Sequence, residues 1–175
     1  MTRRTRRRTD PPLLLATLLV LATAVACGGS STSTAPGGPG HRAFLASVDK
    51  VCAAAVTAHD GHTLPVTGFD PEHPDPGQLP AVADYFSRYG GLPATTAALH
   101  RLSPPRRDAA AWRDLLAVAD RMTANARRQI DVARRRDAAD FVTTVHRANR
   151  LMDQVNAAGE RLGLSGASPC RQVFG

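Results

Sequence analysis

The chain has 175 residues, of which 43% are hydrophobic, 5% aromatic and 21% charged, with a formal net charge of +7. That length supports one hydrophobic core, which Ala, Leu and Val must largely fill because aromatics are so few. The positive charge gives no ground for a nucleic-acid partner: residues 1–26 hold five Arg and one Asp, and the remainder carries 17 basic and 14 acidic groups, a balance of +3.

Residues 1–26 read as an export signal. Five arginines in the first eight residues precede a 14-residue apolar run from Leu13 to Ala26, too short for a membrane span of about 20 residues. Arg3-Arg4 and Arg6-Arg7 could open a twin-arginine signal, but the apolar residues that should closely follow such a pair are missing. General secretion is therefore expected. Ala24-Val25-Ala26 stands directly before Cys27, and Gly28-Gly29-Ser30-Ser31-Thr32-Ser33-Thr34 directly after it. This resembles the lipobox of bacterial lipoproteins, which implies that Cys27 is diacylated and becomes the new N-terminus. Two acyl chains anchor a protein stably where one does not, so the expected place is the cell membrane, at its extracytoplasmic face. Residues 27–41 then form a flexible Gly/Ser/Thr/Pro tether, and residues 42–175 the folded domain.

Four helical segments follow from apolar spacing. The first covers about 42–59, with Phe44, Leu45, Val48, Val51, Cys52, Ala55 and Val56 on one face and Gly61 just past its end. A proline-rich irregular stretch occupies 62–77. The second segment, about 80–101, is interrupted by Gly90-Gly91 and Pro93, so it is kinked or divided into two short helices. Ser103 before Pro104-Pro105 predicts the start of a third helix over about 104–135, with Trp112, Leu115, Ala119, Met122, Ala126, Ile130 and Ala133 as its stripe. Asp137 is expected to cap a fourth helix, whose stripe is Phe141, Val145, Ala148, Met152, Val155 and Leu162, closed by Gly163-Leu164. The tight turn near Arg136 forces the last two helices antiparallel. The expected fold is all-α, a small antiparallel four-helix bundle.

With Cys27 acylated, Cys52 and Cys170 remain in an oxidising compartment, and a structural disulfide between them is expected. It would close a loop of more than 100 residues and stabilise a core poor in aromatics.

The lipobox, the polar tether, the run Phe44-Leu45-Ala46-Ser47-Val48-Asp49-Lys50-Val51-Cys52-Ala53 and a final Leu162-Gly163-Leu164 before Cys170 resemble the small helical lipoproteins of high-GC Gram-positive bacteria. The resemblance implies a fold and a location. It implies no activity.

The polar residues give little chemistry. His59, Asp60, His62, Asp70, Glu72, His73 and Asp75 gather in one stretch, and His59 and His62 could share a helix face. Imidazole with carboxylate suits zinc or copper, yet the spacing matches no standard site, and the stretch reads as a solvated Pro/Asp loop. Gly163-Leu164-Ser165-Gly166-Ala167 lacks the last glycine of a nucleophile elbow. No His-Glu-x-x-His or phosphate-loop pattern is present, so no catalytic residue, metal or cofactor is expected. Residues 101–150 carry twelve Arg against six Asp, whereas residues 41–100 carry three basic and six acidic groups. Such asymmetry suits an acidic half packed beside a basic half, or a surface for an envelope protein or anionic envelope polymer. The sequence thus points to a membrane-anchored lipoprotein with a helical binding or interaction module. A metal- or small-ligand-binding protein using residues 59–75 is the alternative, and an enzyme without a recognisable motif a remoter one.

Overall fold

Apolar side chains recurring every three or four residues draw their helices onto a shared interior. The computed structural model describes residues 39–174, and every regular element among them is helical. Helix α1 spans Pro39–His59, α2 Leu79–Tyr89, α3 Leu92–Leu99, α4 Ala109–Arg134, α5 Ala138–Leu162 and α6 Pro169–Phe174, with a single 3-10 turn at Arg106–Asp108. Cys27 and the residues before it lie outside the described segment.

The long pair α4–α5 is the frame. Asp137 caps α5 as its spacing predicts, its carboxylate accepting from the Asp140 backbone N–H at 3.0 Å. Contacts between Arg128 and Asp140, Asn125 and Thr144, and Arg121 and Gln154 progress in opposite directions along the two helices, so they run antiparallel. At the far end of α5, Gly163 adopts φ 92°; its N–H donates to Glu160 O, and that of Leu164 donates to Gly159 O. This is a Schellman closure, and Leu164 packs against the core beside Gly159.

Two boundaries, the starts of α1 and α4, differ from the sequence reading for local reasons. Helix α1 starts at Pro39, three residues before the expected start at 42, so residues 39–41 of the stretch read as tether are helical, with proline in the first turn. The 80–101 segment takes one of its two expected forms, a pair of short helices, because Gly91 turns the chain through φ 44° and Pro93 lies in the first turn of α3. Helix α4 starts at Ala109, five residues later than the Ser103 cap predicts. Pro105 is extended at ψ 149°, and a 3-10 turn intervenes before the α-helix begins. Sequence reading also missed α6 entirely.

The interior has two parts. The larger combines Phe44, Val48 and Cys52 of α1 with Leu99, Trp112, Leu115, Ala119, Met122, Leu151, Val155, Leu162, Cys170 and Phe174. Phe44 meets Trp112 edge to face, with centroids 5.0 Å apart. The smaller gathers Leu79, Val82 and Ala83 of α2 with Val132, Ala133 and Phe141. Leu64, Val66 and Phe69 from the 62–77 stretch pack onto that smaller core, Phe69 meeting Phe141 edge to face at 5.9 Å. The loop is therefore pinned by its own apolar side chains, and its solvated residues are the Asp, Glu and His.

The disulfide is present: Cys52 in the middle of α1 bonds to Cys170 in α6, with Cα atoms 4.9 Å apart. Beside it, Ser168 Oγ donates to Asp49 at 2.6 Å and accepts from the Cys170 backbone N–H at 3.3 Å. Arg171 reaches Glu160 of α5 at 2.8 Å. Six residues would not hold a helix unaided; these three attachments fix α6 across α1 and α5.

Candidate binding cavity

The stripes of α4 and α5 are buried at both ends and incompletely covered between them. Trp112, Leu115, Ala119 and Ala133 are sealed, as are Phe141, Val155 and Leu162. Ala126, Ile130, Val145, Ala148 and Met152, all in the middle, are only half-buried. They face a cavity of about 400 Å³, closed on one side by the α2–α3 turn (Phe86, Gly90, Gly91, Leu92) and on another by Val173 and Phe174 of α6. Phe86 at its edge is the one exposed large hydrophobic side chain among the described residues. Small-molecule sites span about 300–1,000 Å³ and are mostly apolar with a few placed polar groups. This cavity has that character.

At the α2–α3 turn, Gly90 lets the chain leave α2 close against the Phe86 carbonyl. The Gly90 N–H donates to Phe86 O at 2.9 Å, and a Cβ on Gly90 would collide with that same carbonyl.

Asn125 is the telling polar group of the wall. It is 4% exposed, and its side-chain N–H donates to the Thr144 backbone carbonyl at 2.9 Å. A carbonyl can only accept, so this bond fixes the amide orientation and leaves Oδ1 free. No protein group donates to Asn125 Oδ1. Leaving a buried acceptor unpaired costs about 1–3 kcal/mol unless some group donates to it, and Oδ1 is sealed from any water-sized contact, out of reach of a molecule in the cavity. The neighbouring Thr144 hydroxyl cannot be that donor, since it is committed to Phe141 O at 2.6 Å.

The fold divides the residues that the sequence gathers in 59–75 into separate local groups, His59 and His62 against Tyr85 and Tyr89, and Asp70, Glu72 and His73 within one turn. His59 Nδ1 faces Tyr89 O at 3.1 Å, and its Nε2 lies 3.2 Å from the Tyr85 hydroxyl, which donates to His62 O at 2.9 Å. His62 stacks on Tyr89 with centroids 3.9 Å apart. Asp70 accepts from the backbone N–H groups of Glu72 and His73 at 2.9 and 3.3 Å, and its other oxygen meets His73 Nδ1 at 3.1 Å. The Glu72 bond, followed by the His73 side chain, holds the Asp70 carboxyl below its ordinary value of 3.8. Asp75 accepts from Gly77 N–H, and Glu72 pairs with His146 of α5. These groups organise the loop. Among the described residues, no three His, Cys, Asp or Glu side chains come together to hold a metal ion.

One further polar contact is half hidden. His41 Nδ1 meets the Asp108 carboxylate at 2.9 Å, with both side chains largely screened from solvent, and so ties the start of α1 to the start of α4. Asp108 thereby serves α1, and it makes no side-chain cap to its own helix.

No family model, curated protein or solved structure matches the chain. Among the described residues, no helix is long and apolar enough to cross a membrane.

Proposed function

We propose that this protein is an extracytoplasmic lipoprotein, held to the membrane through acylated Cys27, whose helical domain is a binding module for a small ligand. Helix α1 and the α2–α3 pair cross the antiparallel α4–α5 hairpin to make a four-helix bundle, with α6 as an added clasp. The cavity lies where that bundle leaves the α4–α5 stripes uncovered. This cavity is the observation that carries the reading. A stripe of Ala126, Ile130, Val145, Ala148 and Met152 left half-buried beside a closed core costs hydrophobic burial that a ligand restores.

Binding is favoured over catalysis by the wall's polar groups, which are Ser87, Asn125, Arg127, Gln129 and Asn149. Amides and a hydroxyl orient a ligand well but transfer protons poorly near neutral pH. The membrane is the partner implied by the lipobox-like Cys27, with an envelope protein or anionic envelope polymer as a further one at the arginine-rich half.

Native mass spectrometry of protein gently released from its own membranes tests the reading. The folded domain should carry an additional small mass, and an Ala148→Phe variant, which fills the cavity, should lose it while melting no lower. A native protein free of additional mass, with an unchanged Ala148→Phe spectrum, would overturn the proposal.

A further inference from the structure

Resting on the binding reading above, we infer that the cavity takes the single alkyl chain of an anionic amphiphile, its charged head meeting Arg127 at the rim. The shape of the apolar lining points to a chain. Met122, Ala126 and Ile130 of α4 and Val145, Ala148 and Met152 of α5 line the cavity on successive turns. Met122 to Ile130 covers about 12 Å of helix axis, whereas packed helices lie about 8–10 Å apart. Arg121 meets Gln154 near one end of this strip and Arg128 meets Asp140 near the other, so the two rows run side by side. The lining is thus longer than it is broad, with the small side chains of Ala126 and Ala148 midway. An extended alkyl chain covers such a strip along its length, and each methylene adds apolar area removed from water.

The charge of the wall points to the head. Arg127 is its one ionisable side chain, and no Asp or Glu lines the cavity. Asp131, one turn along α4, and Asp140 of α5 meet Arg134 and Arg128 instead, which leaves Arg127 without an ion-pair partner among the described residues. Arg127 is also exposed. An anion paired with it stays hydrated at the rim, so the apolar interior receives no charge.

Alkanoates below their micelle concentration are the probes. Calorimetry uses the full chain carrying Cys27→Ala, which has no acyl chain of its own at that position to compete. From octanoate through nonanoate to decanoate, affinity should rise about fourfold per methylene. Arg127→Gln should weaken decanoate by about two- to fivefold, as loss of an exposed ion pair does, and leave 1-decanol unchanged. Arg135→Gln, which removes an exposed arginine outside the wall, should change neither. An affinity that does not rise with chain length would overturn the alkyl chain. Equal effects of Arg127→Gln on decanoate and 1-decanol, or an equal loss in Arg135→Gln, would overturn the anionic head at Arg127 while leaving the cavity a binding site. Binding of no probe, with the methyl resonances of Ile130 and Val145 unmoved, would defeat the binding reading itself. Both arginines are exposed, so neither variant threatens the fold.

Discussion

Cys52 and Cys170 are 118 residues apart in sequence, yet their Cα atoms lie 4.9 Å apart, joining the middle of the first helix to the last. Closing a loop of about 100 residues restricts the unfolded chain by about 4.7 kcal/mol in the chain-entropy account. A typical domain has about 5–15 kcal/mol of total stability. Reduction should therefore lower the melting temperature by more than about 10 °C. Helix content at low temperature should persist, because the stripes of α4 and α5 meet without the staple. A melting temperature unchanged by reductant would refute this.

The same bond predicts a difference between two parts of the molecule. In the reduced protein, amide hydrogen exchange should accelerate first in α6 and the adjoining wall of the cavity, while the α4–α5 pair remains protected. Uniform acceleration along the chain would contradict the clasp role of α6.

Backbone sign gives a paired test. Gly91 sits at φ 44° and Arg136 at φ 60°, both in the left-handed region. Gly91→Ala should destabilise by about 1–2 kcal/mol, since a side chain is strained there. Arg136 ends α4 in a Schellman closure, its N–H donating to Ala133 O and that of Asp137 to Val132 O. Arg136→Gly should therefore stabilise by about 0.5–1 kcal/mol. Denaturant midpoints moving in the same direction for both variants would be inconsistent with these conformations.

Asp70 supplies the pH dependence. Its carboxyl is held below 3.8 in the folded loop, chiefly by the Glu72 N–H. The stabilisation this gives is thus fully present above 3.8 and is lost as pH falls through the lower, folded value. Nuclear magnetic resonance should show the Glu72 and His73 amides shifting with a midpoint below 3.8. A midpoint at or above 3.8 would show that the turn does not depend on the carboxylate. Because Asp70 is exposed, Asp70→Ala should loosen the loop with little effect on global stability.

The proposed acylation of Cys27 has a direct test in cell fractionation. Cys27→Ala should move the protein from the membrane fraction to the medium, or leave it as unprocessed precursor. A mature-length variant that still fractionates with membranes would refute the anchor.

Residue order alone determined much of this fold. Spacing of Phe44, Val48 and Cys52, of Trp112 to Ala133, and of Phe141 to Leu162 places three helices and most of their buried faces, because helix periodicity is local. Asp137, Gly163 and Leu164 mark the ends of α5 for the same reason: a cap involves residues within a turn. The pairing of Cys52 with Cys170 is legible too, since reading Cys27 as the acylated residue leaves each of the other two cysteines one partner. Helix α6 had a readable signal that sequence reading passed over, Ser168-Pro169, the same cap-and-proline pattern that Ser103-Pro104 presents.

Tertiary structure decided the rest. Nothing local says that the middle of the α4–α5 stripes stays uncovered; that depends on where the α2–α3 turn and α6 come to lie. Asn125 and Thr144 sit beside apolar stripe positions, and only the antiparallel register of the two helices spends the Asn125 donor on Thr144 O and leaves its acceptor unpaired. The 59–75 residues show the converse. Adjacent in sequence, they look like a ligand cluster, but folding sends His59 to Tyr85, Glu72 to His146 and Asp70 to its own loop, because each polar group is satisfied by whatever donor or acceptor the packed helices bring within reach.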